Sequence, residues 1–130
     1  MNGDKKEQWL HGLVDGHDNI EYVSEVSDEK LIALYDRAKV FALPSLLEGI
    51  GMIALEAAGR GCEVVLTNDG APKEYYHGLA YLVNPKSVDD IGQKCMEALE
   101  HGNKQPALFK LVRTEYSPEA CVKKLIDALS

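Results

Sequence analysis

Pro44-Ser45-Leu46-Leu47-Glu48-Gly49-Ile50-Gly51-Met52-Ile53-Ala54-Leu55-Glu56 is the stretch on which the reading of this chain turns. The apolar run Val40-Phe41-Ala42-Leu43 stops at a proline, a turn bearing two glycines follows, and then comes an apolar segment with a carboxylate inside it. That order predicts a buried strand, a tight turn and a helix starting near Gly51. Free backbone N–H groups and the positive end of the macrodipole suit such a start to a phosphate or diphosphate. Glu48 and Glu56 frame the turn; carboxylates repel phosphate but accept hydrogen bonds from hydroxyls. Side chains on a helix lean toward its start, so Glu56 reaches back toward the turn from the second helical turn while Glu48 approaches from the loop. Phosphate-friendly amides between hydroxyl-friendly carboxylates point toward a sugar nucleotide.

Working outward, Trp9, Leu10, Leu13 and Val14 form one stripe of a first helix ending near Gly16, and Ile20-Glu21-Tyr22-Val23 reads as a strand. Ser27-Asp28-Glu29 is a helix-start signature, followed by Leu31, Leu34, Tyr35 and Ala38 on one helical face. Glu63 to Thr67 is a second β-branched strand, followed by the turn Asn68 to Pro72 and a brief helix over Lys73 to His77. Ala80 to Val83 is a further strand, stopped by Asn84-Pro85. Ser87 caps a helix with inner face Val88, Ile91, Cys95 and Leu99; Gly102 to Pro106 is looser. Ser117-Pro118-Glu119 opens a last helix with the stripe Cys121, Val122, Leu125, Ile126 and Leu129 expected to be buried. Short apolar strands alternating with helices predict an α/β fold, a Rossmann-like parallel sheet with helices on both faces, in a single domain over residues 1–130.

Composition narrows the function. The 130 residues carry a formal charge of −7, which disfavours nucleic acid as a partner. Three cysteines without a Cys-x-x-Cys pair argue against both a disulfide framework and a zinc site, and fit a cytoplasmic protein. No apolar stretch approaches the roughly 18–20 residues of a membrane span, and the start is too polar for a secretory signal. The four histidines lack metal-ligand spacing, so neither a metal nor a cofactor is expected. Ser45 stands in no Gly-x-Ser-x-Gly elbow, which removes serine hydrolysis. The acidic pair of a phospho-accepting receiver is missing.

Laid out in order, these residues resemble the C-terminal, nucleotide-binding half of retaining glycosyltransferases built from two Rossmann-like domains, the GT-B architecture of glycosyltransferase group 1. Six pieces carry the resemblance: Val23 to Tyr35, Val40 to Ser45, the Glu-x7-Glu motif Glu48 to Glu56, Ala57 to Val65, Gly70 to Glu74, and Leu82 to Pro85. It implies that Glu48 sits by the transferred sugar as the glycosidic bond breaks. Backbone N–H groups of Gly49, Ile50, Gly51 and Met52 would meet the sugar or diphosphate of a nucleoside diphosphate sugar donor, and Glu56 the ribose hydroxyls.

The chain also departs from the family pattern. Ile50 stands where an aromatic residue is common, and Cys62-Glu63 replaces a small residue and proline. The Arg and Lys that neutralise the donor diphosphate, two central strands and the acceptor-binding domain have no counterpart here, so the domain is expected to be partial, N-terminally truncated and nearly inert alone. The strand at Ile20 would lose its neighbour, which predicts rearranged pairing, a strand-exchanged dimer, or complementation by the missing N-terminal domain in the same or another chain. That domain would also supply any peripheral membrane attachment. The alternatives are a non-catalytic nucleotide-sugar-binding or partner-complementing module, and a fragment of the related nucleotide-sugar 2-epimerases.

Overall fold

The computed structural model describes residues 3–49 and 51–130, which fall into two compact units, Met1–Ala33 and Leu34–Ser130. In the first, α1 (Gly3–Val14) leads through a turn at Gly16 into an irregular segment, and α2 (Asp28–Arg37) runs across the boundary. Ser27 Oγ caps α2 by accepting from the Lys30 N–H at 3.2 Å, as its position before two acidic residues predicts. The predicted strand Ile20 to Val23 is not one: these residues are irregular, and the Tyr22 and His11 rings meet at an interplanar angle of 82° with centroids 4.9 Å apart. A β-branched run becomes a strand only when a neighbour supplies its ladder of hydrogen bonds. No strand forms in Met1–Ala33 among the described residues, and α1 has no buried residue, with Trp9 and Leu13 both exposed.

The second unit holds the sheet. β1 (Val40–Leu43), β2 (Glu63–Thr67) and β3 (Tyr81–Val83) lie parallel in the order β1-β2-β3, with Val40 opposite Glu63 and Val65 opposite Tyr81. Parallel neighbours need crossover helices, and α3 (Met52–Ala58) and the short α4 (Pro72–Tyr75) fill those places. β2 is buried at every residue, and its alternation sorts the core into two layers. Val64 and Leu66 pack with Ala54, Leu55 and Ala58 of α3, with Tyr76, and with Leu108 of α6 (Ala107–Glu115). Val65 and Val83 pack on the other face with Ala98 of α5 (Val88–His101). Each such aliphatic side chain, fully removed from water, stabilises the fold by about 1.5–3 kcal/mol.

Three helical expectations change. Ser87 does cap α5, accepting from the Asp90 N–H at 3.1 Å, yet the inward face is Ile91, Cys95 and Ala98; Val88 is 84% exposed and Leu99 44%. The loose stretch after Gly102 gives way at once to α6, whose Leu108 is fully buried and whose Leu111 and Val112 pack behind it. The last helix, α7 (Pro118–Leu129), forms where expected under a Ser117 cap, but its apolar stripe is not buried. Val122, Leu125, Ile126 and Leu129 are 55–79% exposed, while Lys124 reaches Glu115 and lies over the Tyr116 ring. No helix among the described residues is long and apolar enough to cross a membrane.

The Cys62-Glu63 departure finds its use at the amino end of β2. Cys62 is buried, its thiol donating to the Tyr35 carbonyl at 3.3 Å, and burial pushes that thiol up. Glu63 is buried as well, and its Oε1 accepts from the N–H groups of Lys104 and Gln105, both at 3.1 Å. The Gln105 side chain returns the contact, donating to the carbonyls of Cys62 and Ala58 and accepting from the Phe109 N–H. A carboxylate thus fastens the α5–α6 connection at the end of the sheet remote from the β1–α3 turn.

Candidate functional site

In open α/β sheets ligands bind beyond the carboxyl ends of the strands, and there the β1–α3 turn meets the loop after β2. Glu48 forms a parallel bridge with Gly70, and its carbonyl accepts from the Ala71 N–H at 3.2 Å. Gly70 has φ +94°, and a Cβ there would run into the Glu48 carbonyl oxygen, so only glycine lets the two backbones approach. The β2 loop is braced in turn: Asn68 N–H donates to Val83 O at 2.8 Å, and Asp69 N–H to Thr67 Oγ1 at 3.1 Å.

Gly51 is the second special glycine. It precedes α3 with φ 75° and ψ 59°, the left-handed conformation, and offers no side-chain cap. Its carbonyl accepts the Leu55 N–H at 3.0 Å and the Tyr76 hydroxyl at 3.1 Å. The Glu48 Cγ lies 3.7 Å from where a Gly51 Cβ would stand. Tyr76, 1% exposed, has its phenol pushed well above the ordinary range, first by burial and then by the charge of Glu48.

The structure therefore brings Glu48, Gly51 and Gly70 together, with Tyr76 beneath them. Glu48 is half-buried and Gly49 exposed. Glu56 lies one turn into α3, on an exposed face shared with Met52 and Ile53. Its charge also reaches the buried Tyr35, whose phenol is raised by burial foremost and by Glu56 next, and whose hydroxyl has no hydrogen-bond partner. Ile50 lies outside the described residues. Among the described residues no group of three or more His, Cys, Asp or Glu is placed to hold a metal ion. Sequence reasoning does not reach Tyr76, which stands 25 positions from Gly51, in a segment whose spacing shows only a short helix.

A parallel sheet with crossover helices and a glycine corner at its carboxyl edge defines a Rossmann-like fragment of the GT-B type. Residues 3–114 match the family described as Glycosyl transferases group 1, and the chain belongs to that family. Among its relatives, the O-antigen chain mannosyltransferase B of Escherichia coli is 35% identical over 81 residues, covering 62% of this chain and 21% of that protein. The D-inositol 3-phosphate glycosyltransferase of Mycolicibacterium smegmatis is 27% identical over 114 residues, 86% of this chain and 26% of that one. The chain thus spans about a fifth to a quarter of the length of these relatives. In fold it is similar to sucrose-phosphate synthase from Thermosynechococcus elongatus, with TM-score 0.77 at 20% identity over 97% of this chain and 35% of that one.

Proposed function

We propose that this chain is the donor-binding portion of a retaining glycosyltransferase, a partial domain that moves no sugar alone. In the complete enzyme a glycosyl group passes from a nucleoside diphosphate sugar to an acceptor hydroxyl with its anomeric configuration kept. Glu48 lies against the transferred sugar and stabilises it as the bond to the diphosphate breaks. The amides of Gly49, Ile50, Gly51 and Met52 meet the sugar or diphosphate, and Glu56 accepts from the ribose hydroxyls. The observation that carries this reading is the junction of Glu48, Gly51 and Gly70 at the carboxyl ends of β1 and β2.

The remaining parts of the reaction fall to a further domain, in the same or another polypeptide, that binds the acceptor and supplies cations to the diphosphate. The edge position of β1 supports pairing with such a partner, or with a second copy by strand exchange. The three free cysteines support a cytoplasmic setting, with any membrane attachment left to that partner domain.

Relatives named as mannosyltransferases, one of them named as GDP-mannose-dependent, make GDP-mannose the first donor to try. Titration of the labelled chain with GDP-mannose, GDP and UDP-glucose, followed by NMR, should move amides between residues 48 and 56. Glu56→Ala should weaken GDP roughly tenfold or more, the value of a hydrogen bond to a charged group, and leave inorganic diphosphate unaffected. Amides that stay still at millimolar ligand refute the donor site; equal GDP affinity in the variant refutes the role of Glu56.

A further inference from the structure

We propose that Tyr76 is a positioning residue of this site: its hydroxyl, by holding the Gly51 carbonyl, sets the left-handed corner beside which the Glu48 side chain lies. The inference rests on the reading of Glu48 given above. Glycine adopts left- and right-handed backbone with nearly equal ease, so Gly51 does not choose φ 75° and ψ 59° by itself. Its carbonyl receives two donors, Leu55 N–H from within α3 and Tyr76 Oη–H from outside it. The helical bond is local to α3, whereas the phenol references Gly51 to the core.

That reference is rigid. Tyr76 packs in the same layer as Ala54, Leu55, Leu66 and Leu108, and a phenol buried this far must find an acceptor inside the protein. The backbone after it turns sharply through two left-handed residues, His77 at φ 49° and Gly78 at φ 79°, so the β2–β3 connection dictates where the ring enters. A Cβ on Gly51 would stand 3.4 Å from Tyr76 Oη and 3.7 Å from Glu48 Cγ, so hydroxyl and carboxylate stem flank the same backbone carbon. The phenol has one proton, and burial together with the Glu48 charge keeps it in place. Because that proton goes to Gly51, it is not donated to the Glu48 carboxylate, which stays open to a hydroxyl of the donor.

The test compares the full chain with Tyr76→Phe and, as a matched control, Tyr116→Phe. The Tyr116 hydroxyl donates to the Tyr75 carbonyl at 2.7 Å, a bond of the same kind made to another part of the chain. Both variants should unfold at slightly lower urea concentration. Only Tyr76→Phe should shift the amide resonances of Glu48, Gly49, Gly51 and Met52 in the ligand-free protein, and only it should weaken GDP-mannose about tenfold, since a lost hydrogen bond of this size is worth that factor. Unmoved amides overturn the inference, and so do moved amides with wild-type affinity. Should Tyr76→Phe fail to fold, the wild-type protein decides: a slowly exchanging Tyr76 hydroxyl proton with a cross-peak to Gly51 upholds the bond, and its absence overturns it. Failure of the wild-type chain to bind GDP-mannose, GDP or UDP-glucose would remove the donor reading alone, because the ligand-free shifts would still judge the corner.

Discussion

Gly61 and Gly70 share a backbone conformation, φ +94° in both, but not an environment. A Cβ added to Gly61 meets nothing within 4 Å, whereas one added to Gly70 strikes the Glu48 carbonyl oxygen. Replacing each by alanine therefore separates two costs that usually arrive together. An alanine forced into left-handed backbone loses about 1–2 kcal/mol, and Gly61→Ala should lose that and no more. Gly70→Ala carries the same strain and must also push the two backbones apart, which breaks the 3.2 Å bond from Ala71 N–H to Glu48 O. A hydrogen bond lost there adds about 0.5–1.5 kcal/mol, and the displaced loop costs further packing, so the total is roughly 2–4 kcal/mol. Urea denaturation followed by circular dichroism measures both variants against the parent. Gly70→Ala should show the larger loss and should also shift the Glu48 amide, which Gly61→Ala leaves in place. Equal losses, or an unmoved Glu48 amide in Gly70→Ala, would refute the claim that a close backbone approach locates Glu48.

Two other outcomes follow from the same structure. Glu63→Ala strips the acceptor from the Lys104 and Gln105 N–H groups; stability should fall by about 1–3 kcal/mol, with faster hydrogen exchange at those two amides, and an unchanged urea midpoint would count against the clamp. The Tyr76 phenol is raised in the folded state above the ordinary tyrosine value of about 10, first by burial and then by the Glu48 charge. Its contribution is therefore intact below pH 10 and is lost as pH climbs toward the folded value, at about 1.4 kcal/mol per pH unit for one group. Urea midpoints taken between pH 8 and 11 should fall more steeply for the parent than for Tyr76→Phe, and parallel curves would contradict a buried, protonated phenol.

How much of this was legible depended on whether a signal was local. Val40 to Leu43 and Glu63 to Thr67 have the bounds their apolar runs predict, because each run ends at a proline or polar turn and each strand finds a parallel neighbour. Ile20 to Val23 carries strand formers at Ile20, Tyr22 and Val23 but has no strand neighbour among the described residues, and composition cannot supply one. The spacing of α7 predicts a buried stripe, and the stripe lies exposed; amphipathic spacing names a face, not what covers it. Helix α6 is masked in the sequence by Gly102 and Pro106, although Leu108, Leu111 and Val112 carry helical spacing. At the proposed site, spacing around a turn singles out Glu48, Gly51 and Glu56, of which the structure brings Glu48 and Gly51 together. Tyr76 does not, since its partner lies 25 positions away and the link is a single hydrogen bond.

Strand β2 behaves like a ruler with a different office at each end. Glu63 anchors the helical layer at one end, and Thr67 with Gly70 locates the Glu48 corner at the other, about 13 Å away at the usual rise of a strand. Substitutions that harden the Glu63 end can therefore raise the melting temperature with the Glu48 corner undisturbed. Loop exchange after Thr67, conversely, should move the Glu48 corner while the scaffold keeps its strength.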